Sequence, residues 1–105
     1  MRKAYLLLMY RDGPESIDSS DSMATIPLQR EAGRSFCRVN ELAICGELIR
    51  QKPFDAGEID SFISALKDSD CRELVVTNLE LFNLTGTASQ LLPPLGEAGI
   101  AVVAC

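Results

Sequence analysis

Residues 3–10, KAYLLLMY, place an apolar side chain at almost every position. A half-exposed strand alternates apolar with polar residues, whereas a continuous run of strand length needs cover on both faces. That need points to an architecture in which a strand is sandwiched between helical layers.

The rest of the chain supplies such layers. Stretch 11–24 is polar and acidic, with Gly13 and Pro14 near its start, and reads as a flexible loop. From Thr25, a candidate cap, the spacing of Leu28, Ala32, Phe36, Val39 and Ala43 predicts a first helix, with Pro27 tolerated in its opening turn. ELAICGELI (41–49) reads as a second strand. Asp55 stands three residues before Glu58 in a capping-box arrangement, and Ile59, Phe62, Ile63 and Leu66 form one apolar face of a helix ending near Lys67 or Asp68.

CRELVVT (71–77) predicts a third strand, running into a loop, LELFNL, that is unusually rich in Leu and Phe. A third helix is expected between Gly86 and Glu97, capped by Ser89 and shortened or kinked by Pro93 and Pro94. After Gly99, IAVVAC (100–105) reads as a fourth strand. Strands alternating with helices imply an α/β fold: a three-layer, mostly parallel open sheet with helices on both faces, in a flavodoxin-like topology, over a single domain 1–105.

Composition narrows the function. The net charge is −5, so the overall field repels phosphate backbones and anionic membranes. No stretch approaches the roughly 20 apolar residues of a membrane span. Cys37, Cys45, Cys71 and Cys105 lack C-x-x-C spacing and the chain has no histidine, so neither a metal nor a cofactor is expected. Each cysteine reads as a small buried hydrophobe, as in a reducing cytoplasm. No Gly-rich phosphate loop follows any strand.

Ligands of such sheets gather at the carboxyl ends of the strands. There AYLLLMY, TIPLQREA, GELIRQKPF, ELVVTNLELFNL and LGEAGIAVVAC, in that order, resemble the N-terminal catalytic domain of the serine recombinases, the resolvase and invertase family. The resemblance implies a resolvase-like fold and a link to site-specific DNA recombination. In that family a serine at the end of the first strand attacks a DNA phosphate, and surrounding arginines stabilise the developing charge.

At the positions that match, this sequence has Leu8 for an arginine, Tyr10 for the serine, and Leu81 and Leu84 for two further arginines. Gln29, Glu80 and, at a third arginine position, Lys52 are the polar groups left at matching positions. The resemblance thus implies the fold and argues against the activity. Losing one preorganised donor typically costs about 10²- to 10³-fold in rate, and here the nucleophile is missing as well.

The family's long dimerisation helix and C-terminal DNA-reading domain are not found in this sequence, so DNA binding is expected only through parts missing from it. Arg30, Arg34 and Arg38, on the helix side away from Leu28, Ala32 and Phe36, are candidates for binding a partner. Phe54, Leu81, Phe82 and Leu84 could form an apolar patch favouring self-association.

The expected function is a catalytically inactive, degenerate recombinase-like domain acting as a protein-interaction or regulatory module. One alternative is an active serine recombinase fragment that cleaves DNA through a phosphoseryl-type intermediate or, with Tyr10 as a substitute nucleophile, through a phosphotyrosyl link. A second is a flavodoxin-like domain binding a small ligand in a crevice near Leu8, Leu81 and Phe82.

Overall fold

The computed structural model describes residues 2–9, 26–50, 54–84 and 86–105. Strand β1 (Arg2–Met9) is followed by helix α1 (Ile26–Val39), β2 (Leu42–Arg50), α2 (Ala56–Asp68), β3 (Glu73–Val76), a short α3 (Leu79–Leu84), α4 (Thr87–Glu97) and β4 (Ala101–Ala104). The four strands form one sheet in the order β2-β1-β3-β4, and every pairing is parallel. The α/β architecture expected from the alternation of elements is therefore present, and the described sheet is all parallel.

β1 lies inside, as its composition requires: Ala4, Leu6, Leu7, Leu8 and Met9 are each no more than 1% exposed. Its side chains alternate between two cores. Leu7 and Met9 join Phe62, Ile63 and Leu66 of α2, Leu91 and Leu95 of α4, and Leu74 and Val76 of β3. Ala4, Leu6 and Leu8 join Cys37 of α1, Leu42 and Val75 in the second core. Helix α1 therefore covers one face, and α2 with α4 the other.

Helix α2 starts where the sequence predicts. Asp55 accepts from the Glu58 N–H at 2.7 Å and Glu58 accepts from the Asp55 N–H at 3.1 Å, closing both halves of the capping box. The Glu58 carboxylate also takes two bonds from Arg50, at 2.6 and 3.1 Å, and the Arg50 guanidinium lies 4.3 Å from the centroid of the Phe54 ring.

Several expectations need correction. Helix α1 turns its Gln29–Gly33–Cys37 stripe to the sheet and leaves Leu28 (44%) and Val39 (77%) exposed, so the apolar face read from the spacing is off by one residue. Gly33 explains the shift: a Cβ there would come within 3.1 Å of both Leu6 and Thr77, so the helix packs closely through its small residue. Ala43 belongs to β2 and not to α1, and the expected cap Thr25 lies outside the described residues.

LELFNL is helix α3, not a loop. The Phe82 N–H bonds the Asn78 carbonyl at 3.0 Å and the Phe82 ring is buried, which accounts for its apolar character and takes Phe82 out of any exposed patch. Helix α4 is capped by Gly86, with φ at 81°, and not by Ser89, and it runs through Pro93 and Pro94. Two interior backbone bonds are lost there, offset by the burial of Ala88, Leu91 and Leu95 against the sheet.

The cysteines differ most from expectation. Cys45 and Cys71 form a disulfide, and only Cys37 is a free buried thiol, Cys105 being free and exposed. Cys45 is the extra residue of a β-bulge: Ala4 pairs with Ile44, but Tyr5 pairs with Gly46. Next to the bulge the Tyr5 ring fills the space that a side chain at Gly46 would need, 2.6 Å from an ideal Cβ. The bulge sets Cys45 off the regular ladder, a position that residue spacing does not disclose.

Two predictions follow from these contacts. Arg50, chiefly, and then the Asp55 N–H hold the Glu58 carboxyl below the usual carboxylate range. A depressed folded value contributes stability above the unfolded value and loses it as pH falls through the folded one. Thermal melts from about pH 7 to pH 2.5 should therefore show a shallower acid decline for Glu58→Gln than for the wild type, and superimposable profiles would refute the coupling. The disulfide closes a separation of 26 residues, worth about 3–4 kcal/mol by the chain-entropy estimate. Melting with and without a phosphine reductant should show a clear fall in Tm on reduction.

Candidate functional site

The carboxyl ends of β1 and β3 meet at Met9 and Thr77, where a buried polar cluster stands in for a ligand-facing edge. Gln29, fully buried on α1, treats the last residue of β1 as a neighbouring strand would. Its Oε1 accepts from the Met9 N–H at 3.0 Å, and its Nε2 donates to the Met9 carbonyl at 2.6 Å. The same Oε1 accepts from the Thr77 hydroxyl at 2.7 Å, and the Thr77 N–H bonds the Leu7 carbonyl at 3.3 Å. The close approach of α1 at Gly33 brings the Gln29 amide within reach of Met9.

A second glutamine repeats the device on the other face. Gln90 of α4 accepts from the Phe54 N–H at 3.0 Å and donates to the Phe54 carbonyl at 2.6 Å. Its role could not be read from sequence, because a lone glutamine in a helix carries no spacing signal toward a loop 36 residues away. Among the described residues no buried side-chain nitrogen or oxygen lacks a hydrogen-bond partner.

Of the positions singled out by the resemblance, Leu8, Gln29 and Glu80 have described side chains. Leu8 is fully buried beneath α1, whereas Phe82 packs in the core on the opposite face, so these two do not line a common crevice. Phe54, also assigned to an exposed patch, is only 4% exposed and stacks on Phe62 with ring centroids 5.4 Å apart. Glu80 is exposed in the first turn of α3. Tyr10, Lys52 and segment 11–24, expected to be a flexible loop, lie outside the described residues, as do the side chains of Leu81 and Leu84.

The arginine stripe is divided. Arg30 is half-buried and makes two 3.0 Å contacts to Glu47 of β2, while Arg34 and Arg38 are exposed. The free thiols make poor nucleophiles at neutral pH. Burial, then Cys105 and Glu73, push the Cys37 thiol up, and desolvation of its sulfur raises Cys105 although the residue reaches the surface. Among the described residues no group of three or more His, Cys, Asp or Glu is placed to hold a metal ion, and no helix is long and apolar enough to cross a membrane.

The chain matches no protein-family model and no curated protein sequence. The strand-end cluster therefore has to be interpreted from its own chemistry, and that chemistry is structural. Replacing Gln29 with Leu leaves the Met9 N–H and C=O and the Thr77 hydroxyl without this partner in a dry site. The expected cost is about 2–4 kcal/mol in chemical denaturation. A Gln29→Leu variant of unchanged stability would mean that the amide is held for a ligand and not for the fold.

Proposed function

We propose that this chain is a degenerate resolvase- or invertase-like domain that has lost strand-exchange chemistry and acts as a protein-interaction or regulatory module. The observation that carries the reading is the strand-end cluster. At a position that the resemblance gives to an arginine, Leu8 is core, and the Met9 N–H and C=O just beyond it are bonded by Gln29, itself tied to Thr77. The parallel sheet in the order β2-β1-β3-β4 is the frame that the resemblance requires. The Cys45–Cys71 pair stands against the reducing cytoplasm expected from unpaired cysteines. Any contact with DNA would come through parts outside this sequence.

The test is incubation with supercoiled plasmid carrying recombination sites, followed by protease-free gel analysis for nicked or linear DNA and for protein covalently attached to it. The expected result is intact plasmid and no adduct. A covalent adduct, above all one that disappears in Tyr10→Phe, would overturn the proposal in favour of an active recombinase.

A further inference from the structure

The two edges of the sheet are built differently. The β2 edge carries the bulge at Cys45, the disulfide to Cys71, and two charged residues, Glu47 and Arg50, drawn into ion pairs with α1 and α2. Bulges and charges are devices that keep an incoming strand off an edge. β4 has neither. Ala101–Val102–Val103–Ala104 contains no charge and no proline, and it pairs with β3 without a register shift. Among the described residues no element pairs with its outer edge.

The register shows which backbone groups that edge offers. The Ala101 N–H bonds the Arg72 carbonyl at 2.9 Å and the Cys105 N–H bonds the Val76 carbonyl at 3.2 Å, so the odd-numbered residues of β4 face inward to β3. In a parallel ladder the N–H and C=O of one residue point the same way. Those of Val102 and Ala104 therefore face outward.

We propose that β4 pairs with β4 of a second copy of this chain, antiparallel, about a two-fold axis perpendicular to the sheet and midway between the two Val103 residues. In that register Val102 of one copy lies opposite Ala104 of the other, and vice versa. The four outward groups of each copy are then satisfied in four hydrogen bonds, with Val103 meeting its counterpart and Ala101 facing Cys105. No charge opposes another, although each copy carries a net −5. With the β2 edge blocked, the assembly closes at an eight-stranded dimer and does not propagate. This gives the interaction module a surface and a partner. A monomeric result would remove that surface and leave the plasmid experiment untouched, so the two proposals fail separately.

The test is sedimentation equilibrium of the full chain from micromolar to millimolar concentration, combined with residue-resolved amide exchange at both ends of the range. The expected result is a concentration-dependent dimer in which the Val102 and Ala104 amides gain protection, while Val103 is protected throughout. Ala104→Pro removes one outward N–H per copy, leaves the inner ladder intact, and should weaken association at least about tenfold with Tm little changed. Ala104→Lys, a charge on an exposed edge position, should do the same and guards against a folding defect in the proline variant. A monomer at millimolar concentration overturns the proposal, as does a dimer in which the Val102 and Ala104 amides stay unprotected or which both variants leave intact.

Discussion

The constraint on which the rest of this domain depends is the exclusion of water from both faces of β1. A strand buried on both sides must have its neighbours paired on both edges and a helix packed above and below, because its peptide groups have no other partners. β2 and β3 supply the edges, α1 one cover, and α2 with α4 the other. Where the ladder runs out at Met9, the chain still has to satisfy a peptide group in a dry site, and the amide of Gln29 does so in place of backbone. This is why a helix otherwise docked through a glycine and a cysteine buries a full-length polar side chain.

The same need bears on function. In open parallel sheets the carboxyl ends of the central strands offer unpaired main-chain groups to ligands, and anions in particular exploit the amides. At Met9, the end of central strand β1, those groups are occupied by the Gln29 side chain, and Gln90 does the same for Phe54 in the segment before α2 on the opposite face. Main-chain groups finished in this way are held rigidly by side chains of the fold itself.

What the sequence made legible follows from which physics is local. KAYLLLMY announces a doubly covered strand, and the Asp55–Glu58 pair announces a helix start, because both depend on near neighbours in the chain. The inner face of α1 is hidden from the sequence because its contacts are set by the fit of Gly33 against Leu6 and Thr77, while the apolar stripe at Leu28 and Val39 dominates the periodicity. LELFNL looked like a loop because six residues are too few for a helical period to declare itself. The Cys45–Cys71 link depends on a bulge whose position is decided by pairing with β1, and the two glutamine clamps depend on contacts 20 and 36 residues apart. At the candidate site, the leucines at 8, 81 and 84 are legible in the sequence, but the opposite placements of Leu8 and Phe82 require the sheet.

The contact between Tyr5 and Gly46 has an evolutionary consequence. Beside the bulge the tyrosine ring occupies the volume that any side chain at position 46 would claim, and its hydroxyl reaches the Glu47 carbonyl at 3.4 Å. The two positions are therefore one packing unit shared between strands. Among descendants of this sequence a larger residue at 46 would be tolerated only together with a smaller one at 5, so the pair would drift in step while the leucines around it change independently.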